Sequence, residues 1–480
     1  MFDKYLELYL LKMESIKLIE ETIENNMPNR IGKEIEKYKD AILMDIYFDQ
    51  ILSEKIDSRV ESYMQKFVTI NEVNKDDKKI SYKFKRKGDS LNKQKNIEES
   101  RKVVSIGYYT LNTMYNNILI SILIEFENIM TRIFEKVITK YPDAYLDDTK
   151  VSYAEIIKVK DIGQIKREIV SNEVNQLMRE SIFKWIRTLE KKHKLTISLE
   201  NQYIKNFIEA YLRRNIIVHN ESRINIDYIN GMKTINKDIP ESMIGENLNC
   251  TKEYIDKIID SSIYLIIYII NQILILFKEE NESFTSAILN MGFEKIKNEE
   301  YDLAREIFRL LKDNKTLDQQ TKVYSLINYW QTYKWTDRYE EIRNELEKFD
   351  ISAYEELIKL AVYALMDDYE KIENILSYEF NEEKQNEELA IELEDFPVFK
   401  QLRKQKFYQD LKEKYPDVFA IKSTQINEEN EEERKGIVKN SNGKFQATIN
   451  IVRKNIPENN IERIMAEESE KDKDKKNKEE

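Results

Sequence analysis

The sequence predicts an all-α fold, on three observations. Only 9 Gly and 6 Pro punctuate 480 residues, too few turn formers for a sheet-rich protein. Lys, Glu, Ile, Leu and Asn dominate the chain, which favours long helices joined by short turns. Apolar residues recur at helical spacing along most of its length. The length exceeds what a single core usually serves, so two or three domains are expected.

Residues 1–74 read as an N-terminal helical region. Leu6, Tyr9, Leu10, Met13 and Ile16, then Ile42, Ile46, Phe48, Ile51 and Leu52, keep helical spacing over two or three amphipathic helices. The opening MFDKYLELYLLKME breaks every apolar stretch with charge, so it reads as the first helix rather than a secretory signal. Residues 75–102 are a basic linker or small hairpin. The alternation Ile80, Tyr82, Phe84 allows a short strand, and the surrounding lysines allow no ordered structure at all.

Residues 103–280 form a strongly apolar helical bundle. Its last helix contains Ser261 to Phe277, 17 residues without a charge, close to the length that spans a bilayer. Asn271 and Gln272 lie inside this run, Asp260 precedes it, and no basic cluster adjoins it. A buried core helix is therefore expected, with no stable membrane insertion; a membrane-tethered adaptor is the alternative.

Residues 281–420 contain helix pairs with weak self-similarity: SAILNMGFEKIKNEEYDLAREIFRLL, SLINYWQTYKWTDRYEEIRNELEKF and ELIKLAVYALMDDYEKIENIL. Tyr301, Tyr339 and Tyr369 mark corresponding places. The first unit, with Gly292, Tyr301, Ala304 and Phe308, resembles a tetratricopeptide repeat, and Asp395–Leu411 resembles the segment that closes such arrays. Residues 421–480 are charged and poor in apolar side chains, so disorder is expected, with one strand allowed at Phe445–Val452.

The formal charge of -12 and a pI near 5.2 exclude a surface wholly coated for nucleic acid, so any RNA contact must be local. Cys250 is the only cysteine, which excludes an intramolecular disulfide and a Cys-based zinc site and fits a reducing cytoplasm. The two histidines, His193 and His219, leave little for a metal cluster. His193 stands among lysines in KKHKLT and is expected to be exposed and uninvolved in chemistry. No phosphate-cradling glycine loop, serine elbow or zinc signature is present.

The informative stretch is NQYIKNFIEAYLRRNIIVHNES. Ile204, Phe207, Ile208, Tyr211 and Val218 make one helical stripe that Asn215 and His219 extend, so polar groups replace apolar ones on a buried or interfacial face. Arg214 and His219, five residues apart, point about 140° away from each other. A bland reading is a helix C-terminus that Asn220 stops, with Arg214 on its solvent side.

RRNIIVHN, Arg213–Asn220, resembles the signature of HEPN domains: an arginine, a polar residue, a few apolar residues, then histidine. The upstream LISILIEFENIMTRIFEKVI and the downstream GENLNCTKEYIDKIIDSSIYLIIYII resemble the opening and closing helices of abortive-infection-like HEPN domains, so the resemblance covers roughly residues 105–280. It implies a four-helix bundle that dimerises to bring two motifs together in a composite, metal-independent ribonuclease site without cofactors. A toxin or anti-phage role, with the helical repeats receiving a protein regulator or trigger, is implied in the same way. A catalytically silent HEPN scaffold binding RNA or protein is the alternative.

The residue types suit the chemistry. RNA cleaves itself when a 2'-OH attacks the adjacent phosphate, which calls for a proton acceptor, a proton donor and positive charge on the phosphorane. His219 is the candidate acid or base. Arg214 would hold the non-bridging oxygens, and Asn215 would orient His219 or bind phosphate. Glu125 or Glu127 would serve as carboxylates behind the histidine, or simply as surface charges. Arg213, with Lys83, Lys85, Arg86 and Lys87 of the basic segment Lys78–Lys95, would track RNA, with Tyr82 and Phe84 stacking on bases; a solvated linker is the alternative there.

Overall fold

The computed structural model describes residues 2–37, 39–53, 56–74, 79–85, 90–146, 162–278 and 282–419. About three quarters of them are helical, and the one sheet among them is a two-stranded hairpin. Arg86, Lys87, Phe445–Val452 and the charged tail lie outside the described residues.

The chain divides into two compact units, one of Tyr5–Ile266 and one running from Ile267 onward together with the first four residues. The first unit contains α1 (Phe2–Lys37), α2 (Lys39–Ser53), α3 (Ser58–Met64), β1 (Val68–Asn74), β2 (Lys79–Phe84), α4 (Ser90–Lys140), α5 (Asp143–Leu146), α6 (Ile162–Met178), α7 (Ile182–His193), α8 (Gln202–His219), α9 (Ile226–Lys233) and the start of α10 (Lys252–Phe277).

The N-terminal helices are not the separate region expected from the sequence. In α1, Leu6, Tyr9, Met13, Ile16, Glu20 and Ile23 are buried at alternating steps of three and four, a heptad stripe that needs a partner surface. It finds one inside the bundle. Ser262 of α10 points its hydroxyl at the Met13 sulfur, 3.8 Å away, Lys12 pairs with Glu125 of α4, and the Tyr115 hydroxyl of α4 bonds Glu24. Helix α1 therefore packs on α4 and α10 within the first unit, and the all-α class holds.

The basic segment also departs from expectation. Its strand is real, but β2 pairs antiparallel with β1, from within the stretch read as helical, with Ile70 opposite Tyr82 and a bulge between Ile70 and Glu72. The cause is a small apolar core of Met44, Tyr47, Met64 and Val68, onto which Tyr82 packs with its ring 4.7 Å from that of Phe48. From Ser90 the chain is already helix α4, so no linker extends to 102.

The boundary expected near residue 280 falls inside α10. This helix is long and apolar enough to cross a membrane, but 78% of its most apolar window is buried within the protein. Its polar groups are satisfied there: Ser261 and Ser262 bond backbone carbonyls one turn back, and Asn271 accepts from Asn314 at 2.9 Å. That is how a core helix behaves.

In the second unit, α11 (Glu282–Lys297) and α12 (Tyr301–Lys312) form a helix pair, followed by α13 (Gln319–Lys334), α14 (Arg343–Glu347), α15 (Glu356–Met366), α16 (Tyr369–Glu379), α17 (Glu387–Asp395), α18 (Lys406–Lys414) and α19 (Pro416–Phe419). Tyr301, Tyr339 and Tyr369 each begin the second element of a pair, although Tyr339 opens only a 3-10 turn before the short α14. Gly292 lets α12 come close: a Cβ there would meet Phe308 at 2.7 Å. Arg305, buried, locks α12 to α13 through Thr332 and Thr336.

Candidate functional site

Helix α8 is started by Asn201, whose side chain accepts from the backbone N–H of Tyr203 at 2.9 Å and of Ile204 at 3.3 Å. Its first three turns bury Ile204, Phe207, Ile208 and Tyr211, with the Phe207 ring 4.2 Å from Phe126 of α4. After Ile216 the helix leaves the core. Asn215 and His219 are exposed, Arg214 is half-buried, and Val218 is 49% exposed. The sequence placed Asn215 and His219 on a buried or interfacial face; within one chain both are exposed.

The backbone turns sharply here. Asn220 closes α8 through its N–H to Ile216 at 2.8 Å, and the next two residues, Glu221 (φ 50) and Ser222 (φ 62), both adopt the left-handed conformation. Neither is glycine, so each costs about 1 kcal/mol or more, a form of local strain that concentrates at functional sites. The strand-like pairing of 222–224 with 245–248 holds them: Ile224 N bonds Glu246 O at 3.0 Å, and Leu248 N bonds Ser222 O at 2.8 Å. Ser222 also accepts from Asn116 of α4 at 3.3 Å.

The two adjacent arginines have opposite fates. Arg213 turns inward, donating to Glu209 at 2.8 Å and to the Asn249 carbonyl at 2.9 Å, with its guanidinium 3.7 Å from the centre of the Tyr254 ring. Glu209, buried, also accepts from the hydroxyls of Tyr228 and Tyr254, both at 2.7 Å. Arg213 is therefore corrected from an RNA contact to an internal tie that fastens α9, α10 and the 245–251 loop to α8. The i,i+4 pair Glu209–Arg213 was readable in the sequence as a signal for this, whereas the two tyrosines were not.

Arg214 remains for an external anion. Its Nη1 approaches Asn215 Oδ1 at 3.4 Å, and across from it on α4 stands Glu127. Burial raises the Glu127 carboxyl, which Arg214 and the Tyr211 hydroxyl oppose. Glu125, the other carboxylate considered, is paired with Lys12 and accepts from Asn128 at 3.2 Å. Neither carboxylate hydrogen-bonds His219, so the expected support for the histidine is not found.

The other candidates lie elsewhere. Lys83 on β2 and Lys85 just after it are exposed, Lys85 donating to the Gln65 carbonyl at 2.5 Å, and Tyr82 is committed to its small core rather than free to stack. His193 is buried, not exposed: its Nε2 is 2.8 Å from the Tyr145 hydroxyl, its ring lies against Tyr141, and burial, then Lys192, lowers its pKa. Among the described residues no group of three or more His, Cys, Asp and Glu is placed to hold a metal. Comparison with protein-family models, with curated proteins and with solved structures gives no match to this chain.

Proposed function

We propose that the chain is a metal-independent endoribonuclease whose site is assembled from Arg214, Asn215 and His219 of two copies. The observation that carries the reading is that Asn215 and His219 are exposed and Arg214 is half-buried, outside the Arg213–Glu209 network, in the last two turns of α8. The strained pair Glu221–Ser222 fixes that turn in place.

In the proposed reaction His219 of one copy removes the proton from a 2'-OH. The O2'–P bond forms as the P–O5' bond breaks, and the O5' leaving group takes its proton from His219 of the second copy. The products are a 2',3'-cyclic phosphate and a 5'-OH. Arg214 binds the non-bridging oxygens with two of its donors. DNA, lacking the nucleophile, is not cleaved.

A second copy is called for by the divergence of Arg214 and His219 on one helix. Apolar side chains flank the site on the open face. Phe126 lies against Phe207, and Asn116 bonds Ser222, so α4 runs beside the second half of α8; Ile124 on α4 is 47% exposed and Val218 on α8 is 49% exposed. A second reading, a silent scaffold, is favoured by Glu127, which offsets part of the charge that Arg214 would offer to phosphate.

The test is incubation of purified wild type and His219→Ala with total RNA in EDTA, mapping new 2',3'-cyclic phosphate ends. Cleavage lost in the variant supports the proposal. Equal cleavage by both removes His219 from the chemistry, and silence from both favours the scaffold. The toxin or anti-phage role rests on the family resemblance, and the surface of the helical pairs is the proposed place for a protein regulator.

A further inference from the structure

Beyond the motif, the next cation along the chain is Arg223. It is exposed, yet its backbone and its head group are both tied down. Its N–H bonds the Asn220 carbonyl at 2.8 Å, its own carbonyl accepts from the Asn220 side chain at 2.6 Å, and it lies opposite Asn247 in an isolated antiparallel bridge. Its Nη1 donates to the Gly245 carbonyl at 3.1 Å. Among the described residues no carboxylate forms an ion pair with it, although Glu221 precedes it by two residues and Glu246 belongs to the segment it pairs with.

We infer that Arg223 binds the backbone phosphate next to the scissile one, so that the substrate is an RNA strand with a charged phosphate flanking the cleaved linkage. This rests on the ribonuclease reading of the same site. Asn220 sets the geometry: it follows His219 directly, closes α8 through its N–H to Ile216 and holds the Arg223 carbonyl with its side chain. The left-handed pair Glu221–Ser222 then brings Arg223 into the pairing with 245–248 instead of a continuation of α8. A guanidinium has five N–H donors. The Gly245 carbonyl takes one of them, on Nη1, and leaves the Nε and Nη2 edge as a fork for two phosphate oxygens. An arginine already tethered has less freedom to lose when the anion arrives. Arg214 is assigned to the scissile phosphate and Arg213 is committed to Glu209, so an arginine beyond Asn220 meets a neighbouring phosphate.

Two measurements on the full chain test this. In the first, wild type, Arg223→Gln and Arg223→Lys bind an uncleavable 2'-O-methyl RNA oligonucleotide, followed by fluorescence anisotropy across a salt series. Arg223→Gln should weaken binding by about three- to tenfold and flatten the slope of log K against log salt by about 0.7, as expected for one phosphate contact on a single strand. Arg223→Lys keeps the charge and should keep the slope. The second compares kcat/KM for a dinucleotide with that for trinucleotides that carry a single ribose and an extra phosphate on its 5' or its 3' side. The extra phosphate should favour cleavage by wild type on one of the two sides, and Arg223→Gln should lose most of that advantage.

An unchanged salt slope in Arg223→Gln overturns the inference. Equal weakening in the Gln and Lys variants does so as well, since it would leave Arg223 only a tie to Gly245. An extra phosphate that helps on neither side, or helps the Gln variant as much as wild type, is equally fatal. A wild type that shows the expected binding but cleaves no RNA defeats the ribonuclease reading instead, while the phosphate contact of Arg223 stands.

Discussion

Glu20 makes the first unit's stability depend on pH in a direction opposite to that of most carboxylates. It occupies a core position of the α1 heptad, 1% exposed, between Tyr9, Met13 and Ile16 on one side and Ile23 on the other. From α10, Asp256 faces it and Lys252 Nζ lies 3.8 Å from Oε2, itself held by Asp256 at 3.0 Å; Glu24 adds a further negative charge from α1, and Oε1 has no hydrogen bond. Burial, then Asp256, raises the Glu20 carboxyl from 4.5 to about 7, against the pull of Lys252.

The sign follows from linkage. Below about pH 4.5 the group is protonated folded or unfolded and carries no penalty. As pH rises, the unfolded chain releases the proton first, so stability falls until the folded group ionises near 7, and then levels off. A shift of this size corresponds to about 3 kcal/mol, or roughly 6–12 °C in the unfolding temperature of a unit this large. Glu20→Gln keeps the shape and removes the titration. Thermal unfolding followed by circular dichroism between about pH 5 and pH 8 should show the wild type losing ground to the Gln variant as pH rises. Parallel profiles for the two proteins would refute the argument, because no other group distinguishes them.

Two further outcomes are expected. Arg213→Ala should destabilise the fold by about 3–5 kcal/mol, since it strands the buried Glu209, whereas Arg214→Ala should shift stability by less than about 1 kcal/mol and abolish RNA cleavage; denaturant unfolding of both variants separates the roles. Gly292→Ala should lower stability by about 1–2 kcal/mol in urea unfolding despite its better helix propensity, because the new methyl meets the fully buried Phe308 at 2.7 Å. A more stable variant would show that α11 and α12 are not in close approach there.

The helical class was legible because period and composition agreed along the chain. The divisions were harder. The α1 stripe announced a helix but not that its partners lie on α4 and α10, 91 to 249 residues away, because periodicity carries no address for the opposing surface. The β1 strand was missed since Val68–Asn74 alternates only weakly and gains its register from Tyr82 against Phe48. At the site, spacing put Asn215 and His219 on the stripe of the buried residues, but spacing alone could not say that both are exposed within one chain. The different roles of Arg213 and Arg214 were only partly visible: the i,i+4 spacing to Glu209 marked Arg213 as a tie, while Tyr228 and Tyr254, which complete it, lie further along the chain. His193 was misjudged because its flanking lysines suggested solvent, while Tyr145, distant in sequence, supplies its enclosure.

The position of α10 in chain order also bears on synthesis. Its first half meets Met13, Glu20 and Glu209, all of which have left the ribosome before it, so that half has a surface waiting when it emerges. Its second half is only partly so: Phe2 lies against Phe277, but Asn271 waits for Asn314, 43 residues later. At about 5–20 residues per second that gap lasts roughly 2–9 seconds, during which an uncharged segment is exposed to any chaperone or targeting factor that reads nascent chains by hydrophobicity. Slower translation between 271 and 314 would lengthen this interval, and aggregation during expression should track it.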